Sequence, residues 1–273
     1  MDNRPIGVFD SGLGGLSVVR ELVSLLPREH IVYFGDTGRV PYGTRSRETI
    51  EKYAAQDGQF LLSKDVKMVI AACGTVSSVA ASVLDRLPVP SIGVVEAPAA
   101  AAVAATKNGR IGIIGTAATV RSGAFAKAIA AKSDTAQVFA VACPLFVPLV
   151  ENGWIEPDNE VTLATARRYL EPLKAQGVDT LILGCTHFPL LAPIIAQVMG
   201  DGVTLIDTGR ETARAAAQML RQSDALCDGS ATPARRFFVS DRPDDFVSVA
   251  EMFLGSGICD DVDTVNMDAE ETA

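Results

Sequence analysis

The chain has 273 residues, 48% hydrophobic and 21% charged, with a formal net charge of −9, enough for one large or two moderate α/β units with a proper core. The acidic balance argues against a nucleic-acid partner, whose phosphates need a basic surface. No apolar run approaches the roughly 18 residues a membrane span requires, while a small anionic substrate stays compatible, because backbone N–H groups can hold one locally.

In chain order, residues 6–9 read as a short buried strand that ends in the loop Asp10-Ser11-Gly12-Leu13-Gly14-Gly15. A helix over 16–26 follows, closed by Pro27, then a strand over 31–34 and a polar loop from Gly35 to Gly43. Ser46 is placed to cap a helix over 47–63. A third strand, 67–72, delivers Cys73 at its end, and a helix through 79–87 and a strand over 91–94 complete this stretch. Strands alternating with helices of this length predict βαβ units and a parallel sheet.

The pattern then restarts. Residues 110–116 echo the first strand and its loop, 138–142 echo the second strand, and Cys143-Pro144-Leu145-Phe146-Val147-Pro148-Leu149 leads to Glu151. After a helix over 158–175, the strand Thr180–Leu183 ends at Gly184-Cys185-Thr186-His187, as the third strand ended at Cys73. A strand over 204–207 and a helix over 211–221 follow, then a polar loop over 223–234, a strand over 237–239, a helix opened by Pro243, and an acidic tail from Asp260 expected to fray. The expectation is an α/β protein of two similar doubly wound parallel-sheet domains facing each other across a cleft. The first would comprise 1–95 plus 211–273 and carry Cys73; the second, 96–210, would carry Cys185. Ligands of open parallel sheets sit beyond the carboxyl ends of the strands. There this sequence places Asp10, Ser11, Asp36, Tyr42, Cys73, Thr75, Thr116, Glu151, Cys185, Thr186 and His187.

Five widely spaced cysteines, at 73, 143, 185, 227 and 259, read as free thiols in a reducing compartment. Met1-Asp2-Asn3-Arg4-Pro5 runs directly into a strand, so a cytoplasmic protein without a leader is expected. Cys143, Cys227 and Cys259 read as buried small hydrophobes. Cys73 and Cys185 differ, since each ends an apolar run before a helix, where a thiol's pKa is drawn below its free value of roughly 8.5. A hydrolase needs one such cysteine with a histidine base. A redox pair usually takes a close C-x-x-C, which is absent. A two-base proton shuttle needs two equivalent groups facing one substrate carbon, and duplicated thiols on duplicated halves fit that chemistry. His187 reads as the proton partner of Cys185 or as a core histidine. Asp10 reads as a strand-end site residue or as an ordinary helix N-cap or turn aspartate. With two histidines in the chain and no C-x-x-C, a zinc site is not expected. The Gly12-Leu13-Gly14-Gly15 loop invites a dinucleotide reading with Asp36 as the ribose acid, but Ser17 stands where the third glycine belongs.

The blocks Gly7-Val8-Phe9-Asp10-Ser11-Gly12-Leu13-Gly14-Gly15-Leu16, Asp36-Thr37-Gly38-Arg39-Val40-Pro41-Tyr42-Gly43, Ala72-Cys73-Gly74-Thr75, Cys143 through Glu151 and Gly184-Cys185-Thr186-His187-Phe188-Pro189 resemble the glutamate racemases. These belong to the cofactor-independent aspartate/glutamate racemase family. The resemblance spans roughly residues 5–255. It implies that Cys73 takes the proton from D-glutamate and Cys185 from L-glutamate. It also implies that Asp10, His187 and Glu151 assist, and that Ser11, Tyr42, Gly43, Gly74, Thr75 and Thr186, with Asp10 and His187, hold the substrate. It further implies a cytoplasmic homodimer, without cofactor, that supplies D-glutamate for peptidoglycan. An aspartate racemase or other sister enzyme is the alternative. At position 74 the family usually carries asparagine, whereas this chain has Gly74.

Overall fold

The computed structural model describes residues 1–255 and 262–267. Strand β1 (Ile6–Asp10) is buried along its whole length, as a strand covered on both faces must be. Helix α1 (Leu16–Leu25) carries the chain to β2 (Ile31–Gly35). The polar loop that follows contains two short 3₁₀ turns, Thr37–Arg39 and Tyr42–Thr44. Helix α2 (Arg47–Ser63) starts where the sequence predicts, with Ser46 Oγ accepting the Thr49 N–H at 3.3 Å.

After β3 (Met68–Ala71), the expected helix through 79–87 is instead two short helices, α3 (Gly74–Val79) and α4 (Ala81–Leu84). The first begins directly at Cys73. Its Ser77 hydroxyl is tied to the Ala71 carbonyl and the Val94 N–H, and Ala80, at φ −119° and ψ 27°, breaks the helix. Strand β4 (Ser91–Gly93) is followed by α5 (Glu96–Ala105), which the periodicity argument passes over because its alanine-rich run has almost no polar face.

The second series runs β5 (Arg110–Gly115), α6 (Ala117–Ser122), α7 (Ala124–Ala130), β6 (Gln137–Ala142), α8 (Phe146–Glu151) and α9 (Glu160–Ala175). It continues through β7 (Thr180–Leu183), a 3₁₀ turn at Phe188–Leu191, α10 (Ala192–Met199), β8 (Thr204–Asp207) and α11 (Thr208–Gln222). Side chains cap three of these helices: Thr116 for α6, Asn159 for α9 and Asp207 for α11. The chain then returns through β9 (Arg235–Val239) and α12 (Pro243–Leu254). The described part of the acidic tail is ordered into β10 (Val262–Thr264), which pairs with β9, so it does not fray there. Cys259 and the rest of the tail lie outside the described residues.

All pairings are parallel. One sheet has six strands in the order β10-β9-β2-β1-β3-β4, the other four in the order β6-β5-β7-β8. The two halves are therefore similar in their central strands and unequal in extent. Each sheet is centred on the first strand of its series, β1 between β2 and β3 and β5 between β6 and β7, with Ile6 opposite Ile31 and Met68, and Ile111 opposite Val138 and Thr180. One buried cluster joins residues of both sheets, including Ile6, Val8, Ile114, Leu181 and Phe188. Two further clusters fill the outer face of each sheet. Among the described residues no helix is long and apolar enough to cross a membrane.

Candidate active site

The carboxyl ends of β1, β3, β5, β6 and β7 open onto one cavity of about 390 Å³. Its wall takes Asp10, Ser11, Cys73, Gly74 and Thr75 from the six-stranded side, Tyr42 and Gly43 from the loop after β2, and Thr116, Cys143, Glu151, Cys185, Thr186 and His187 from the four-stranded side. Every residue to which the family resemblance assigns a catalytic or substrate-binding role is in this wall. Thr116, noted as a strand-end residue, joins it through a hydroxyl contact to Thr75 at 3.1 Å. Asp36 does not. Its carboxylate turns away from the cavity toward Arg39, Tyr42 and Ser240, which also removes the basis for reading it as a ribose-binding acid. A larger cavity of about 500 Å³ lies between α3, β4, α5 and α7, but no thiol or histidine lines it.

The two thiols sit in different surroundings. Cys73 is 4% exposed, and its Sγ lies 3.4 Å from Ser11 Oγ. Burial, reinforced by the neighbouring Asp10 carboxylate, pushes this thiol up to about 12. The lowering expected from a helix start is overturned here, because desolvation of a thiolate outweighs the few N–H groups of a six-residue helix. Asp10 is itself fully buried. Its Oδ2 accepts the Gly12 N–H at 3.2 Å. Burial raises its pKa against the lowering influence of His187 and of backbone N–H groups at Gly15, Gly12 and Ser11.

On the other side, Cys185 Sγ stands 3.8 Å from His187 Nδ1, and His187 Nε2 stands 2.9 Å from Glu151 Oε1. Burial pulls the imidazole down, but its hydrogen bonds to Cys185 and Glu151 and their charges push it further up, to about 10. At neutral pH His187 is an imidazolium bridging a sulfur and a carboxylate. Phe253 of α12 packs edge-on against its ring at 5.9 Å, so the last helix excludes water from that side.

Two close approaches join the halves at this level. A Cβ on Gly14 would collide with His187 Nδ1 and come within 2.6 Å of Thr186 Oγ1. A Cβ on Gly74 would stand 2.5 Å from the Gly184 carbonyl oxygen. Gly14 of the first loop is thus explained by the side chains it faces across the cleft, and Gly74 by backbone meeting backbone between the two cysteine-bearing segments.

Two assignments change with the geometry. Cys143, read as an inert core residue, is 1% exposed and lies in the cavity wall. Burial and the nearby Cys185 push its pKa up, so it stays a neutral thiol. The Tyr42 hydroxyl is engaged by Asp36 and Asp57 behind the wall, which leaves the main chain of Tyr42 for a ligand. Cys143 might have been suspected from its position at a strand end; nothing in the sequence marks Asp57. Among the described residues no group of three or more His, Cys, Asp or Glu is placed to hold a metal ion.

Paired parallel-sheet halves that bring two thiols to one small cavity, each with its own acid–base neighbour, define a protein built to exchange protons with a small polar ligand. The chain belongs to the Asp/Glu/Hydantoin racemase family, whose profile matches residues 6–216. It is 47% identical to a glutamate racemase of Geobacter metallireducens over 98% of both chains, and 49% identical to one of Neisseria meningitidis serogroup A over 92% of this chain and 93% of that one. Its fold superposes with a TM-score of 0.90 on a crystal structure of the Francisella tularensis glutamate racemase in complex with D-glutamate. That match has 38% identity and covers 98% of this chain and 100% of the other.

Proposed function

We infer that this chain is a glutamate racemase that interconverts L- and D-glutamate without a cofactor by proton transfer between two thiols, and that it supplies D-glutamate for peptidoglycan. The observation that carries this reading is the meeting of Cys73 and Cys185, from two different sheets, in one cavity with separate partners. To invert a stereocentre, one sulfur as thiolate takes the α-proton from one face while the other, as thiol, delivers a proton to the opposite face. The sulfur that gave its proton is then the thiolate, so the reverse reaction exchanges the roles.

In this reading Cys73 serves D-glutamate and Cys185 serves L-glutamate. Cys73, held protonated by burial and by Asp10, is the resting acid. Cys185, whose Sγ stands 3.8 Å from His187 Nδ1, is the second base. His187, oriented by Glu151, holds its positive charge beside the Cys185 sulfur. Asp10 does the opposite for Cys73, disfavouring a thiolate. Ser11, Thr75 and Thr186 hydroxyls and the backbone of Tyr42, Gly43 and Gly74 supply donors for the substrate's carboxylates. We also propose a division into 1–95 plus 211–273 and 96–210, each half carrying one thiol, and a cytoplasmic homodimer, which light scattering would test.

Incubation with L-glutamate in D₂O tests the chemistry. The α-proton NMR signal should disappear while chiral analysis drifts to equal D and L. Cys73→Ala and Cys185→Ala should each lose nearly all racemisation while remaining folded. Full two-way turnover by either variant would exclude the two-thiol mechanism.

A further inference from the structure

Behind the cavity wall lies a cluster whose hydrogen bonds require an extra proton. Asp36 and Asp57 are both 0% exposed, and Tyr42 is 1% exposed. One guanidinium serves both carboxyls: Arg39 Nε donates to Asp36 Oδ2 at 2.6 Å and Nη2 donates to Asp57 Oδ1 at 2.9 Å. Asp36 also accepts the Ser240 hydroxyl on Oδ1 at 2.8 Å and the Tyr42 hydroxyl on Oδ2. Donors therefore reach both of its oxygens. Asp57 Oδ2 lies 3.1 Å from the same Tyr42 oxygen.

A phenol has one hydrogen, and Tyr42 gives it to Asp36. If Asp57 were ionised, two oxygens would face each other in a dry site with no hydrogen between them, a costly arrangement. A hydrogen on Asp57 Oδ2 removes the conflict. It makes a continuous chain from Asp57 to the Tyr42 oxygen and from the Tyr42 hydroxyl to Asp36. It also leaves the single Arg39 guanidinium facing one negative charge instead of two. Burial and the Asp36 charge both hold Asp57 well above the usual carboxylate range, and Arg39 and the Tyr42 contact only partly offset them.

We propose that Asp57 is a positioning residue for the substrate: a neutral acid that donates its proton to Tyr42 Oη and thereby fixes the Pro41–Thr44 wall of the cavity. Asp57 does not itself line the cavity, but Pro41, Tyr42, Gly43 and Thr44 all do. That segment is anchored through Tyr42, whose ring packs 5.4 Å from Tyr53, while the Arg39 guanidinium lies 4.2 Å over the same Tyr53 ring. Gly43 in turn abuts Thr116 of the other half. Asp57 so acts on the substrate through Tyr42 and the backbone that follows it.

The assignment of substrate rests on the racemase reading, so the test has two independent arms. An asparagine at 57 reproduces the neutral acid, with its oxygen toward Arg39 and its NH₂ toward Tyr42. In steady-state racemisation, Asp57→Ala should raise KM for glutamate roughly tenfold, with a smaller change in kcat, as expected for one unmade buried hydrogen bond. Asp57→Asn should restore most of that loss. A D57N variant as impaired as D57A, or a D57A variant with an unchanged KM, overturns the proposal. If D57A does not fold, D57N alone decides, through its KM. The second arm is infrared spectroscopy at neutral pH. The wild-type minus D57N difference should contain the carbonyl stretch of a protonated carboxylic acid, and its absence overturns the assignment whatever the activity. A wild-type protein that leaves glutamate untouched yet shows this band would refute the racemase reading and not the protonated Asp57.

Discussion

Cys73 and Cys185 carry the same side chain into opposite fields. A buried carboxyl group stands near the first and an imidazolium stands beside the second. This asymmetry gives a directional prediction. Glu151→Gln removes one of the two groups that hold the proton on His187, so its pKa should fall from about 10 toward 6.5. With two histidines in the chain, their ring proton signals can be followed separately by NMR. In the wild type the His187 signals should titrate far above neutrality. Glu151→Gln should also slow L-glutamate turnover about tenfold, and D-glutamate turnover less, because Cys185 serves the L face. Stability follows the same proton. A histidine whose folded pKa lies above its unfolded value of 6.5 stabilises fully below that value, and the contribution fades as pH rises toward about 10. Thermal unfolding at pH 6, 8 and about 10 should show that decline, with a flatter profile for Glu151→Gln.

At the level of elements, the site is made by strand ends, and the sequence marks these well. Each functional strand is an apolar run cut off by a small or polar residue, as at Ala72-Cys73-Gly74 and Leu183-Gly184-Cys185. The helices after them were harder to read. Those with polar caps and an amphipathic face, α2 and α9, were legible to within two residues. The alanine-rich α5 and the short α3, α4, α6 and α7 lack a repeating polar face, and their lengths are set by what they pack against. Gly74 belongs to this scale. Its place beside the Gly184 carbonyl allows the α3 start and the end of β7 to touch through backbone alone. Gly74→Ala should therefore part the two segments. We expect a loss of about 1–3 kcal/mol in denaturant unfolding, together with a kcat loss larger than any change in KM, since the sulfurs move relative to the substrate carbon. Equal stability and kcat would mean that the segments separate without cost.

Across the molecule, the two sheets are joined through a shared buried cluster and through the glycine contacts at the cavity. A ligand that bonds to both halves should lock them together. D-glutamate at a hundred times its Kd should stabilise the fold by about 2.7 kcal/mol. Hydrogen exchange should slow at two distant places in the chain, near Cys73 and Gly74 and near Cys185 to His187. Protection confined to one of them would mean that the ligand does not bridge.

The sequence by itself determined the alternation of strands and helices, the repeat of the pattern, and the two thiols at equivalent strand ends. These follow from local periodicity and from where apolar runs stop. The tertiary structure alone decided the electrostatics. Burial reversed the expected drop in the Cys73 pKa, the contacts with Cys185 and Glu151 pushed the His187 pKa up, and the turn after β2 pointed the Tyr42 hydroxyl at Asp36 and Asp57 instead of the cavity. Chain order records which groups are present. Their charge depends on how much water and which partners surround them, and residues far apart in the chain supply both.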